Sequence, residues 1–171
     1  SPADLSNIAT NYLDTKDELY DAMLRATLIG AVSRAYEPGS MFKTALTFKG
    51  GQDIGKSSVV RNLASPDWVC DTTQDNDKDF KMAIHSTWIY ELAELDSITN
   101  KKQAGALKNL LSSPKDLIRP PYGRSMENHK RQSIFIGTSN RDDFLRDETG
   151  ACRWWVVELP HNANKSFRVN H

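Results

Sequence analysis

Residues 50–57 read Gly50-Gly51-Gln52-Asp53-Ile54-Gly55-Lys56-Ser57, a glycine-rich segment with the spacing of a known ligand-binding loop. Residues 45–48 before it are typical of a strand, and residues 57–64 after it are typical of a helix. A strand, a loop of the form Gly-x-x-x-x-Gly-Lys-Ser and a helix in this order predict a phosphate-binding loop. Its backbone N–H groups surround a phosphate chain, and the helix N-terminus adds partial positive charge. We therefore expect the chain to bind a nucleoside triphosphate.

Two side chains of this loop have predicted chemical roles. Lys56 is expected to reach the β- and γ-phosphates, and the Ser57 hydroxyl is expected to bind Mg²⁺. The alternative is a glycine turn that carries Lys-Ser by chance, but the flanking strand and helix favour the phosphate loop. The predicted nucleotide-binding residues are Gly50, Gly51, Gln52, Asp53, Ile54, Gly55, Lys56, Ser57 and Ser58.

Size, charge and cysteine content restrict the class of protein. With 171 residues, 39% of them hydrophobic, the chain is long enough for one globular domain with a substantial core. Lys plus Arg and Asp plus Glu both number 22, so DNA binding would need a local basic patch rather than a general attraction. Cys70 and Cys152 match no metal-binding spacing, which indicates free thiols in a reducing compartment. No apolar run approaches the ~18 residues of a membrane span, so we expect a cytoplasmic protein.

The chain divides into three expected regions. An N-terminal helical segment at residues 1–40 packs on the core, the nucleotide-binding core occupies residues 41–160, and residues 161–171 form a tail. The absence of an initial Met and the short tail suggest a piece of a larger protein. Apolar residues at helical spacing predict one helix, or two, over residues 14–34. Its expected inner face carries Leu19, Met23, Leu24, Leu28, Ile29 and Val32.

Strands that alternate with helices predict an α/β fold. The expected strands are residues 45–48, 68–70, 88–92, 133–138 and 153–159, and the helices between them include residues 57–64, 78–86 and 99–111. This alternation favours a parallel five-stranded sheet with helices on both faces. The segment at residues 114–132 is rich in Pro, Gly and Arg and has no helical period, so an inserted β-hairpin and a solvated loop are equally supported there. In parallel sheets of this kind, ligands bind beyond the carboxyl ends of the strands.

Polar residues follow two of the buried strands. Glu91 follows the apolar run 88–90, so we assign the metal role to Ser57 and Glu91. Glu94 is a candidate to orient the attacking water, with a solvated loop acid as the open alternative; for Asp96 the solvated acid is the favoured interpretation. Asn140 follows strand 133–138 and is a candidate to hydrogen-bond the γ-phosphate or the attacking water. A turn-forming Asn is its alternative.

Basic residues flank the strand at residues 133–138. Cations neutralise phosphates and aromatic rings stack on bases, so the segment before the strand could meet DNA, although a solvated loop is equally supported. The DNA-binding candidates are Arg119, Tyr122, Arg124, Lys130 and Arg131. After the strand, Arg146 and Arg153 are candidates to stabilise charge at a neighbouring subunit's γ-phosphate, with surface ion pairs as the alternative.

The motifs follow one another in an order that resembles the virulence-associated E family. They are the phosphate loop, Lys78-Asp79, Trp88-Ile89-Tyr90-Glu91-Leu92-Ala93-Glu94-Leu95, Arg119-Pro120-Pro121-Tyr122-Gly123-Arg124, Gly137-Thr138-Ser139-Asn140 and Phe144-Leu145-Arg146-Asp147-Glu148-Thr149-Gly150. With residues 29–35 and Pro38-Gly39, the likeness covers most of the chain from about Thr27 onward. This family is a branch of P-loop ATPases that resembles superfamily 3 helicases.

The resemblance implies the ATPase module of a phage, prophage or mobile-element replication protein, with a P-loop fold of the AAA+ and superfamily 3 type. Relatives act as rings with ATP between subunits and a hairpin on DNA in the pore. The implied ligands are ATP and Mg²⁺, and the implied partners are single-stranded DNA, further copies of this chain and a fused or separate primase. The implied catalytic residues are Lys56, Glu91, Glu94, Asn140 and Arg153, the last acting on a neighbouring subunit.

Two residues depart from the family pattern. Asp53 stands where relatives usually have Gly, and a carboxylate beside the phosphates is expected to repel them. Relatives tend to have two arginines where this chain has Cys152-Arg153. It therefore stays open which arginine of this chain acts on the neighbouring subunit. A motor acting on DNA is the leading interpretation of the chain. A nucleotide-gated binding module and a small kinase-like transferase are alternatives, although the basic hairpin and Asn140 fit a motor better than a kinase.

Overall fold

The computed structural model describes residues 5–72, 76–93, 95, 101–119, 125–140 and 153–160. Its helices are α1 (Ile8–Leu13), α2 (Glu18–Tyr36), α3 (Lys56–Ala64), α4 (Asp77–Ser86) and α5 (Lys101–Ser112). Its strands are β1 (Ala45–Lys49), β2 (Val69–Cys70), β3 (Ile89–Leu92), β4 (Lys115–Ile118), β5 (Glu127–Lys130), β6 (Ile134–Ser139) and β7 (Trp154–Glu158). A 3₁₀ turn at Pro66–Trp68 precedes β2.

Five strands form a parallel sheet in the order β2, β3, β6, β1, β7. This arrangement confirms the predicted five-stranded parallel sheet. β1 lies between β6 and β7, and its Leu46 and Phe48 are completely buried. A strand buried on both faces needs a continuous rather than an alternating apolar pattern, which explains the run that precedes the loop. The carboxyl ends of all five strands lie at the edge of the sheet where that loop begins.

The sheet has a hydrophobic core on each face. On one face, α1, α2 and α3 contribute to a core that contains Phe48, Ile89 and Ile136. On the other face, α4 and α5 pack around a core that contains Tyr90 and Phe135. Successive residues of β3 and β6 enter opposite cores because successive side chains of a strand point to opposite faces. None of the described helices is both long enough and apolar enough to cross a membrane.

The N-terminal segment has one helix within residues 14–36, in agreement with the first of the two expected forms, and a further helix before residue 14 that was not predicted. The two helices are α1 and α2, which are separated at Asp14, a residue with a left-handed φ of 53°. The expected inner face is only partly correct. Leu24 is buried and Met23 and Leu28 pack partly against the core, whereas Leu19, Ile29 and Val32 are 55%, 60% and 48% exposed.

Two buried polar residues explain this orientation of α2. Asp21 accepts hydrogen bonds from the backbone N–H groups of Ala9 at 2.6 Å and Thr10 at 3.0 Å, and so satisfies the first turn of α1. Arg34 donates to the backbone carbonyl oxygens of Ser40 at 3.1 Å, Phe42 at 2.9 Å and Ser133 at 2.8 Å. These bonds hold polar side chains on the inner face of α2, where apolar periodicity alone predicts hydrophobic ones.

β4 and β5 pair with each other in an antiparallel manner. Arg131 directly follows β5 and is completely buried. Its guanidinium donates to the carboxylate of Asp116 in β4, at 2.9 Å from Nε and at 2.5 Å from Nη2. Its Nη1 also donates to the carbonyl of Leu110 at 2.6 Å, and His85 Nε2 lies 2.9 Å from Asp116 Oδ2. The expected DNA contact of Arg131 is corrected by this geometry, because a buried guanidinium paired with Asp116 cannot neutralise a phosphate.

We expect Asp116→Asn to lower the free energy of unfolding by about 3 kcal/mol, because it leaves the buried charge of Arg131 without its partner. Burial by itself would raise the pKa of Asp116, but hydrogen bonds from His85 and Arg131 outweigh it and lower the pKa to about 2. The carboxylate therefore stabilises the fold above its unfolded pKa of about 3.9, and this contribution is lost as the pH falls towards 2. Urea denaturation between neutral and acid pH measures both effects.

Asp77→Asn is the matched control, because Asp77 pairs with Lys81 at the surface and its side chain is 79% exposed. This substitution should cost less than about 1 kcal/mol. Equal losses of unfolding free energy in Asp116→Asn and Asp77→Asn would contradict the role of Asp116 as the partner of buried Arg131. An acid-induced loss of stability as large in Asp116→Asn as in the wild type would contradict it as well.

Candidate nucleotide and metal site

The loop between β1 and α3 has the backbone shape that its glycines predict. Gly55 caps α3 with a φ of 93°, in the left-handed region that favours glycine. Asp53 has a φ of 60° in the same region, which is uncommon for a residue with a side chain. The glycine that the family pattern has at this position would adopt the same conformation without strain.

Lys56 is the first residue of α3 and is almost completely buried. Its ammonium group donates to the carbonyl oxygens of Gly50 at 2.9 Å and Gly51 at 2.6 Å. It also donates to the side-chain oxygen of Asn140 at 2.7 Å. Two residues that lie 84 positions apart in sequence, Lys56 and Asn140, are therefore in direct contact at the carboxyl edge of the sheet.

A buried carboxylate links α3 to the sheet. Glu91 of β3 is 3% exposed, and its Oε1 accepts hydrogen bonds from the hydroxyls of Ser57 at 2.7 Å and Thr138 at 3.1 Å. Burial raises the pKa of Glu91, and these two hydrogen bonds only partly oppose that effect. Its Oε2 is also buried and has no hydrogen-bond partner among the described residues. A buried carboxylate oxygen without a partner is costly, which indicates a cationic or hydrogen-bonding ligand.

A cavity of about 440 Å³ lies among these groups, within the size range of small-molecule sites. Its lining includes Gln52, Asp53, Gly55, Lys56, Ser57, Ser58, Ala93, Thr138, Ser139 and Asn140. Most of the predicted nucleotide-binding residues are therefore at one site. Of the others, Gly50 and Gly51 contact the Lys56 ammonium, and Ile54 is buried in the core beneath the loop.

The oxygen atoms at this site fit Mg²⁺ bound together with a phosphate-containing ligand. Ser57 donates its proton to Glu91, so the lone pairs of its oxygen can coordinate a cation, and Glu91 Oε2 supplies a second oxygen. Among the described residues, no group of three His, Cys, Asp or Glu side chains could hold a metal alone. The remaining ligands would be water and phosphate oxygens, which is the usual environment of protein-bound Mg²⁺.

Arg153 does not belong to this group. It lies directly before β7, whose first residue, Trp154, pairs with Ala45 at the amino end of β1. The loop begins at the opposite end of β1, about 16 Å away for five strand residues. Arg153 therefore cannot reach the site of its own chain. Glu94, Tyr122 and Arg124 lie outside the described residues, as do Asp96 and Arg146.

The remaining DNA-binding candidates lie on the two-stranded sheet or beside it. Arg119 and Lys130 are both exposed. Lys130 is directly opposite Lys115, which is exposed as well. Like charges at directly opposite positions of two strands repel each other, so this surface is suited to an anion.

Two polar residues at this edge of the sheet were not predicted from the sequence. Thr138, which contacts Glu91, is the first polar residue of β6 after four apolar ones, and that change could have identified it. Asp71 follows β2 as a polar residue at a strand end, and Arg61 Nε donates to its Oδ2 at 2.9 Å. The rule that placed Glu91 and Asn140 at strand ends could have been applied to Asp71 as well.

Comparison with known proteins identifies the family and the fold. Two structures, both titled as the apo A form of the NrS-1 C-terminal region, are similar to this chain. One has a TM-score of 0.56 and 20% identity, covering 91% of this chain and 36% of the other. The second has a TM-score of 0.60 and 18% identity, covering 96% of this chain and 41% of the other. At these identities the likeness shows a shared fold alone, and the chain spans less than half the length of either structure.

No functionally curated protein sequence matches the chain. The family model described as the virulence-associated protein E-like domain matches residues 2–170, nearly the full length. The chain therefore belongs to the virulence-associated protein E-like domain family.

Proposed function

We propose that this chain is the ATP-hydrolysing domain of a helicase-like DNA replication protein. The observation that carries the proposal is the pair of contacts Lys56–Asn140 and Ser57–Glu91 beside one cavity. The cation of Lys56, the hydroxyl of Ser57 and the amide of Asn140 line a space that suits a triphosphate, and the Glu91 carboxylate is bonded to Ser57 beside it. Family membership and the resemblance to superfamily 3 helicases support a role in the replication of a phage or mobile element.

In the proposed reaction, water attacks the γ-phosphorus, the bond to the β–γ bridging oxygen breaks, and ADP and phosphate are formed. Lys56 exchanges its contacts with the carbonyls of Gly50 and Gly51 for phosphate oxygens and stabilises their charge. Asn140 positions Lys56 and hydrogen-bonds the γ-phosphate or the attacking water. Glu94 is proposed to orient that water. Ser57 and Glu91 would hold Mg²⁺, which would supply positive charge to neutralise the phosphates.

The outward face of the two-stranded sheet is proposed to bind single-stranded DNA. Lys115 and Lys130 lie opposite each other, and a phosphate between them would relieve their repulsion. Arg119 extends this cationic surface. Tyr122 and Arg124 are also proposed to contact DNA.

We also propose that copies of the chain assemble with ATP between them. Arg153 lies at the amino end of the sheet and cannot serve its own site, so the site it can serve is that of a neighbouring copy. An arginine supplied in this way stabilises charge in the transition state. A fused or separate primase is the proposed partner within the replication protein.

Lys56→Ala should weaken ATP binding by roughly 30-fold or more, because charge-assisted hydrogen bonds contribute about 2 kcal/mol or more. Titration with a fluorescent ATP analogue measures the affinity, and circular dichroism verifies the fold. Lys78→Ala, at an exposed position of α4, is the control and should bind as the wild type does. Near-normal ATP binding by Lys56→Ala would contradict the assignment of the loop.

Asp53→Asn and Asp53→Gly should both tighten ATP binding about fivefold. Each variant removes one negative charge, and a unit charge ~4 Å from a phosphate in water has an effect of that size. Asp53→Gly should in addition raise the thermal midpoint, because glycine adopts the φ of 60° without strain. Asparagine keeps the shape of the side chain and so separates the effect of charge from that of the backbone. Unchanged affinity in both variants would show that the Asp53 carboxylate does not act on the phosphates.

Substitution of both Arg119 and Lys130 by Ala should weaken binding of single-stranded DNA and lower the slope of log K against log salt concentration by about 1.4. The double variant should also lose any stimulation of ATP hydrolysis by DNA. Lys81→Ala is the control, since Lys81 pairs with Asp77 on α4. An unchanged salt slope would contradict the role of this surface. ATP hydrolysis that DNA does not stimulate in the wild type would instead favour a nucleotide-gated binding module.

A further inference from the structure

α3 makes two neighbouring contacts with the sheet. Ser57 and Arg61 are four residues apart and therefore lie on the same side of the helix. Ser57 binds Glu91 at the end of β3, and Arg61 binds Asp71 just after β2. Both bonds from Arg61, through Nε and Nη2, end on Oδ2 of Asp71, so Oδ1 takes part in neither.

The strand register brings the two carboxylates side by side. Cys70 pairs with Tyr90 in the parallel ladder of β2 and β3, so Asp71 is the next residue beside Glu91. Asp71 directly follows β2 and accepts a hydrogen bond from Arg61 of α3, and Glu91 accepts one from Ser57 of the same helix. Both carboxylates therefore lie against α3.

The electrostatics of the site agree with this proximity. Burial is the main cause that raises the pKa of Glu91, and the nearby Asp71 carboxylate raises it further, while Arg61 opposes both. Two adjacent carboxylates repel each other unless a cation lies between or beside them. Arg61 compensates Asp71, but Oε2 of the 3%-exposed Glu91 has no partner among the described residues.

We propose that Asp71 is a second acid of the magnesium site, and that it acts by accepting hydrogen bonds from water molecules bound to the metal. This inference rests on the proposed ATPase function. Mg²⁺ retains several of its water molecules in proteins, and their hydrogens need acceptors. Asp71 is adjacent to the proposed ligand Glu91, and its Oδ1 takes part in neither bond from Arg61. Asp71 is thus a positioning residue for the metal, and its effect should appear in metal binding and not only in turnover.

The test is the Mg²⁺ concentration that half-saturates binding of a fluorescent, non-hydrolysable ATP analogue. Asp71→Asn should raise that concentration about fivefold, the effect of removing one unit charge a few ångströms from the metal. Affinity for the analogue in EDTA should be unchanged or tighter, because a negative charge near the phosphates has been removed. Asp71→Glu keeps a carboxylate and should stay close to the wild type.

Two further variants separate a metal role from a structural one. Asp67→Asn removes the same charge from the exposed turn before β2, away from the carboxyl edge of the sheet, and should leave the Mg²⁺ requirement unchanged. Arg61→Gln breaks the ion pair but leaves the Asp71 carboxylate, so it should lower the thermal midpoint while most of the metal dependence is retained. Equal shifts in Asp71→Asn and Arg61→Gln would overturn the proposal and assign Asp71 a structural role.

The outcomes also distinguish this inference from the proposed function. If the wild type binds the analogue in a Mg²⁺-dependent manner and Asp71→Asn matches Asp67→Asn, the role of Asp71 is overturned while the ATPase proposal stands. If the wild type binds the analogue at no Mg²⁺ concentration, the ATPase proposal fails and the role of Asp71 fails with it.

Discussion

The hydrogen bond from Ser57 to Glu91 is the contact on which the site depends. It joins the first turn of α3 to β3, and Thr138 joins the same carboxylate oxygen to β6. Because Glu91 is buried, any arrangement that broke these bonds would leave its carboxylate unsatisfied, at a cost of about 1–3 kcal/mol for each bond or more for a charged group. The loop before α3 is therefore held in shape by the protein itself. Preorganisation of this kind reduces the entropy that ligand binding must overcome.

The central part of the fold could be predicted because its signals are local. The apolar run of β1, the glycines of the loop and the helix that follows are contiguous, and the motif fixes their order. The orientation of α2 could not be predicted in this way. It depends on Asp21 and Arg34, whose hydrogen-bond partners include Ala9 and Ser133, and nothing in the apolar periodicity of the helix reveals such partners.

The same distinction applies to the functional residues. Lys56, Glu91 and Asn140 could be expected at one edge of the sheet, because each lies near the carboxyl end of a strand or begins the helix after one. Composition alone could not separate Arg131 from Lys130. The two are adjacent in sequence, yet Arg131 is completely buried against Asp116 and Lys130 is exposed. Only the alternation of the strand and a partner on another strand decide which charge remains at the surface.

A calorimetric titration of a non-hydrolysable ATP analogue into the wild-type protein, with Mg²⁺ and with EDTA, is the sharpest test of a magnesium–nucleotide site at this loop. We expect saturable heat at one nucleotide per chain with Mg²⁺, and much weaker binding in EDTA, because Ser57 and Glu91 act through the metal. No heat under either condition, from protein that circular dichroism shows to be folded, would contradict the assignment of this loop and its carboxylate to a magnesium–nucleotide site.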